Sequence, residues 1–189
     1  SGPVDTNSFV EVEDVDLSQL RVAWSTDLGC VPVDNDIARI FEERVGKIAS
    51  SFKSCERRDP DMARALDVFW IIRGVGFLAG RMDAYRNTPE LLGPNVTSNV
   101  EAALKMTAEE IGWASAEQTA IYRRFQSFFD DVDVLLCPGN SVPPFPVEQL
   151  YCDEINGKKT ANYVEWLGIA SAITLTGHPV TLIPTGLDH

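Results

Sequence analysis

Two short apolar runs lie far apart in this chain, and most of what separates them is helical in period. Residues 20–25 (LRVAWS) and 132–137 (VDVLLC) each have the length and β-branched or apolar character of a mostly buried strand. Strands separated by helices and long loops need crossover connections, and such strands pair in parallel or mixed fashion. The spacing therefore predicts an α/β fold with a mixed β-sheet flanked by helices. A third strand is expected over residues 180–183, closed by Pro184 and Gly186. With 189 residues, 44% of them hydrophobic, the chain suits a single domain with a substantial core.

The helices are read from periodicity and caps. Asp34 can cap a helix whose apolar face runs through Ile37, Ile40, Phe41, Val45, Ile48, Ala49 and Phe52. Asp59-Pro60 reads as an N-cap with proline at the first helical position, opening a helix that carries Met62, Leu66, Phe69, Trp70, Arg73 and Phe77. Gly74, Gly76 and Gly80 weaken its far end unless close packing requires them. Residues 86–95 read as a mobile loop. Ser98 and Ser115 each have capping-box spacing to Glu101 and Gln118, and each is expected to open a helix. Prolines 138, 143, 144 and 146 break regular structure after the second strand, and Lys158, Lys159 and Thr160 precede a final helix ending near Thr174.

Charge narrows the partners. Against 16 Lys and Arg stand 28 Asp and Glu, a net charge of -12, and so acidic a surface repels phosphate backbones and anionic lipid heads. Neither nucleic acid nor a membrane is an expected partner. Arg73 and Arg81 interrupt the most hydrophobic stretch, which stays below the roughly 18 apolar residues that span a bilayer. The first 16 residues are acidic and hold no Lys or Arg, unlike a secretory leader, so a cytoplasmic location is expected. Cys30, Cys55, Cys137 and Cys152 show no C-x-x-C spacing and the chain has two histidines, which fits reduced thiols rather than zinc. No metal or cofactor is expected.

No G-x-S-x-G, P-loop, G-x-G-x-x-G or H-E-x-x-H motif occurs. Cys137 at a strand end could serve as a nucleophile with His178 as its base, giving a cysteine hydrolase, although a cysteine before proline is more simply a packing residue and His178 a loop residue. Asp130, Asp131 and Asp133 read as a solvated charge run rather than a metal site, and Arg123 and Arg124 as surface residues.

One stretch carries more information: Tyr163-Val-Glu-Trp166, then Thr176, Gly177, Pro179, Pro184 and Gly186. It resembles the C-terminal half of the amidase signature family, in which a Y-x-x-W element leads into a T-G-x-P turn, a strand and P-x-G. The segment from Asp133 to Pro138 with Pro143 and Pro144, the run LRVAWSTDLG, and Ser1-Gly2-Pro3 match the family in the same order. The resemblance implies that residues 1–189 form the C-terminal part of a single amidase-like domain, an incomplete portion of the amidase signature fold. It implies amide hydrolysis by a Ser-cis-Ser-Lys triad with a backbone oxyanion hole, all carried by the family's N-terminal half. This chain has no such Gly- and Ser-rich stretch; Ser50-Ser51, its one Ser-Ser pair, is expected inside an amphipathic helix. No catalytic residue is assigned, and the chain alone is expected to be inactive. One wall of the pocket for a small-molecule amide is expected from Cys137, Pro138 and Gly139 in the loop after the strand and from Tyr163 and Trp166 on the final helix. Two other functions fit the resemblance: a catalytically dead binding or scaffold module, and part of the A subunit of a glutamine amidotransferase. Family members that use glutamine hold it with an Arg near the start of the helix placed at Ser98 and with an Asp on the final helix. Here those places hold Asn99 and a residue near Trp166 or Leu167, and the apolar lining favours a hydrophobic amide. An exposed apolar sheet edge and self-association, or a homo-oligomer, are expected to follow.

Overall fold

The computed structural model describes residues 14–186, so the Ser1-Gly2-Pro3 element lies outside the described residues. Three strands form the central sheet: β1 (Arg21–Trp24), β2 (Ser54–Arg57) and β3 (Val134–Leu136), in the order β2-β1-β3. Both pairings are parallel, with Arg21 opposite Ser54 and Val22 opposite Val134. The α/β architecture is the one the sequence implies. Among the described residues its antiparallel pairing lies outside this sheet, in a two-stranded ribbon of β4 (Glu154–Ile155) and β5 (Lys158–Lys159).

Helix α1 (Asn35–Ile48) crosses from β1 to β2 and starts where its cap predicts, with the Asp34 carboxylate accepting from the amides of Asp36 and Ile37. It ends sooner than its apolar stripe suggests. Ser50 and Ser51 fall in a 3₁₀ turn (Ala49–Ser51), not inside the helix, because the chain turns there into β2.

Helix α2 (Ala65–Asn87) begins five residues after Pro60. The Asp59 carboxylate cannot cap it, since it accepts a 2.6 Å hydrogen bond from Ser25 Oγ instead. The helix then continues through all three glycines and through Arg86 and Asn87, which shortens the expected loop. Gly74 is explained by close approach: a Cβ there would lie 3.2 Å from Ala103 Cβ and 2.8 Å from Met106 Cε. Gly76 and Gly80 meet nothing within 4 Å of that position and leave an open surface.

Neither serine opens a helix. Helix α3 (Pro94–Ala103) starts at proline with Gly93 as N-cap, and Ser98 sits inside it, donating to the Asn95 carbonyl. The capping box belongs to Thr107 and Glu110, which open α4 (Ala108–Phe128), so Ser115 is interior to that helix. The last helix, α5 (Gly168–Thr174), is short and is preceded by a 3₁₀ turn (Glu165–Leu167). Residues 180–183 form no strand. Val180, Leu182 and Ile183 stand 68%, 76% and 68% exposed, because no described strand lies beside them to complete a ladder.

Helix α2 is the hub, packing against α3, α4 and α5. Its Val68 joins Leu28, Ile121, Phe125, Ile169 and Leu175 in one buried cluster, each such side chain contributing roughly 1.5–3 kcal/mol of burial. Among the described residues no helix is long and apolar enough to cross a membrane.

The sheet is fastened at its N-terminal edge by Arg21 and Asp133. The guanidinium meets the carboxylate at 2.6 and 3.1 Å, the Arg21 amide donates to the same carboxylate at 2.8 Å, and the Asp133 amide donates to the Arg21 carbonyl. These bonds, above all those from the Arg21 side chain, hold the Asp133 pKa down at about 2. A depressed carboxylate contributes stability that is complete above its unfolded pKa, about 3.9, and is lost as pH falls through the folded value. Acid titration of unfolding should therefore show a loss between about pH 4 and 2 that Asp133→Asn flattens. An unchanged profile in that variant would show the pair to be inert.

Candidate functional site

Parallel strands end on the same side, so the loops after β1, β2 and β3 gather along one edge of the sheet, the place where open α/β sheets hold ligands. Ser25, fully buried, ties two of those loops: its hydroxyl donates to Asp59 and accepts from the Leu28 amide at 2.8 Å. The third loop carries the first group of expected site residues. Cys137 is half-buried against the main core, and burial pushes its thiol up to about 11, so it is protonated at neutral pH and a poor nucleophile. Pro138 is buried, and Gly139 is exposed beside Leu182, whose Cδ1 lies 2.5 Å from where a Cβ would stand.

Tyr163 and Trp166 lie in the turn before α5, not on the final helix itself. They belong to an aromatic group separate from the main core cluster. Trp166 meets Phe145 edge-on at 5.2 Å and Tyr163 at 5.9 Å, while Tyr163 also meets Tyr151 at 5.7 Å. Phe145 comes from the proline-rich segment after β3, so the structure joins the loop that begins at Cys137 to the Tyr163–Trp166 turn through an intermediary that the sequence reading did not single out. Ser141 reinforces the link, its hydroxyl accepting from the Ile169 amide and its carbonyl from the Asp34 amide. The Trp166 indole Nε1 is buried with no hydrogen-bond partner among the described residues, which leaves a donor whose desolvation is uncompensated.

Arg73 also meets this aromatic group, a contact that the sequence reading did not single out. Its guanidinium lies 4.3 Å from the Phe77 ring centre and 5.2 Å from that of Tyr163, and it donates to the carbonyl of the buried Asn99 side chain. The signal was present in the sequence as a charged residue on an otherwise apolar helical stripe.

The other candidates resolve into structural roles. His178 stacks among Tyr122, Phe125 and Phe129, at 5.6, 4.9 and 5.6 Å, with Nδ1 3.0 Å from the Thr176 carbonyl; no hydrogen bond joins it to Cys137. Asp133 and Asp131 pair with Arg21 and Arg58, and no metal-binding group occurs among the described residues. Arg124 pairs with Glu117 on its own helix and clasps α4 to the segment before α2 through Asp61 and the Ala63 carbonyl, a fastening role rather than a free surface charge.

The comparisons with known proteins bear on this arrangement. The family model described as Amidase matches residues 3–189. The chain belongs to the amidase family. An acylamidase from Rhodococcus erythropolis is 22% identical over 182 residues, covering 95% of this chain and 38% of that protein. In fold, the chain is similar to a bacterial aryl acylamidase of the amidase signature family (TM-score 0.79, 16% identity, 91% of this chain and 38% of that one). It is also similar to 6-aminohexanoate cyclic dimer hydrolase (TM-score 0.65, 13% identity, 93% and 40%). The chain thus spans about two fifths of the length of the amidases it matches.

Within this amidase-family chain, α5 can seat only because residue 168 is glycine. A Cβ there would lie 2.2 Å from Val31 Cγ1 and 3.4 Å from Ser141 Oγ. Gly168→Ala should lower stability by about 1–3 kcal/mol in urea titrations and alter the near-ultraviolet signal of Trp166. Ser141→Ala, which removes one buried acceptor, should cost about 1–3 kcal/mol while leaving that signal closer to native. Equal stability of Gly168→Ala and the parent would refute this packing.

Proposed function

We propose that this chain is the C-terminal part of an amidase domain and forms one wall of the substrate pocket of an enzyme that hydrolyses a carboxamide C–N bond. In this reading Cys137, Pro138, Gly139, Tyr163 and Trp166 line the path of a small-molecule amide, and the nucleophile, base and oxyanion donors come from outside these 189 residues. The observation that carries it is the unpartnered indole N–H of Trp166, held among aromatic rings beside the loop after β3. Aromatic surroundings with one unsatisfied donor suit a hydrophobic amide, whose carbonyl would supply the missing acceptor. The same reading takes the protein to be cytoplasmic, in keeping with four free cysteines, and takes the exposed Val180, Leu182 and Ile183 as a face that packs against the remainder of the domain or, in the chain alone, drives self-association.

A second reading is a catalytically dead binding module that keeps the same pocket wall. Activity decides between them. Amide cleavage needs a nucleophile, a base in hydrogen-bond reach of it and donors to the developing oxyanion, one donor alone being worth roughly 3 kcal/mol. The chain alone should therefore hydrolyse no aryl or alkyl amide above background, whereas the full-length protein that carries it should. In that protein Trp166→Ala should change the preference among amides by about tenfold, roughly 1.4 kcal/mol, while a small acylating probe still reacts. Saturable amide hydrolysis by the chain alone would overturn the assignment of its catalytic groups elsewhere, and a full-length protein that binds amides without cleaving them would establish the second reading.

A further inference from the structure

One groove runs against the charge of the molecule. In a chain with 28 acids and 16 basic residues, an open groove of about 600 Å³ on α2 is lined by Phe69, Arg73, Gly76, Phe77, Gly80 and Arg81: two guanidiniums and no carboxylate. Its floor is clear, since nothing lies within 4 Å of a Cβ placed at Gly76 or Gly80.

Arg73 is the unusual member. A partly buried arginine on the neighbouring helix α4, Arg124, is compensated by Glu117 and Asp61. Arg73 has no carboxylate partner among the described residues. It gives one N–H to Asn99, whose amide in turn donates to the Asn95 carbonyl, and rests between the rings of Phe77 and Tyr163. Burial lowers its pKa, opposed in part by Tyr163. A guanidinium carries five N–H donors in a rigid fork, and one of the five is accounted for. The neutral Asn99 aims the fork without neutralising it, as a site for an incoming anion requires, because a fixed carboxylate would already have filled the fork.

We propose that Arg73, with Arg81 and the rings of Phe69, Phe77 and Tyr163, forms a subsite for the carboxylate of an aromatic or apolar amide. This rests on the amidase reading and narrows it: the hydrophobic substrate carries an anionic end. The carboxylate pairs with the fork of Arg73, and the body of the ligand lies on the ring faces over the glycine floor. Tyr163 belongs to both the subsite and the aromatic group of Trp166, so one ligand can meet the two.

The test compares two anilides that differ in one charge, 4-acetamidobenzoate and 4-acetamidotoluene, in the full-length protein. The expected result is a kcat/KM at least about tenfold higher for the carboxylate, arising in KM, with the gap narrowing in high salt. Arg73→Gln should remove that preference, bringing the two anilides to within about twofold of each other, and Arg73→Lys should restore part of it. Hydrolysis of both anilides with no preference, or an equal loss for both in Arg73→Gln, overturns the subsite while the amidase reading stands. If neither anilide is cleaved, calorimetric binding decides. Saturable binding of 4-acetamidobenzoate but not 4-acetamidotoluene, lost in Arg73→Gln, upholds the subsite and counts against the amidase reading alone; no difference between the two ligands overturns it.

Discussion

The hydrogen-bond ladders on the two sides of β1 govern the rest of the molecule. Because β2 and β3 both run parallel to it, each of the three strands delivers its chain to the same edge, and each connection must return over a face of the sheet. The return from β1 is α1. The return from β2 is α2, α3 and α4 together, which accounts for the hub position of α2 and for a core built mostly from helix–helix contact rather than from the sheet. The same topology sets Ser25, Asp59 and Cys137 on neighbouring loops although they are far apart in sequence, and the Ser25–Asp59 hydrogen bond is its direct product.

What could be read from the sequence followed from how local its cause was. The Asp34 cap and the strands at residues 20–25 and 132–137 depend on short patterns, and the structure forms α1, β1 and β3 there. Strand β2 (SCER) has no apolar alternation to announce it; it exists because β1 offers an unpaired edge at that point. The capping boxes show the limit of local pattern. Ser98, Thr107 and Ser115 all have the spacing, but a box can act only where the chain is not already helical, and Pro94 had opened α3 before Ser98 was reached. Residues 180–183 fail in the opposite direction: their composition suits a strand, and among the described residues no neighbour completes one.

The site divides in the same way. Tyr163 and Trp166 stood out as a motif, and the structure sets them in one aromatic group; that Phe145 joins them to the loop after β3 depends on how the proline-rich segment folds back, which no spacing rule reports. Arg73 was visible as a charge on an apolar stripe. Its meaning required Asn99 and Tyr163, which come from α3 and from the turn before α5, two elements that meet it only in the folded chain.

Cys137 and His178 show why position at the sheet edge does not by itself make chemistry. Cys137 follows β3 directly, the kind of place where nucleophiles lie, yet the apolar surroundings that seat it also push its thiol to about 11 and suppress the thiolate that would react. His178 is held by three aromatic rings and by the Thr176 carbonyl, and its Nδ1 is committed there. A base activates a nucleophile only from within hydrogen-bond reach. The packing that stabilises each residue therefore keeps the pair from acting as a dyad.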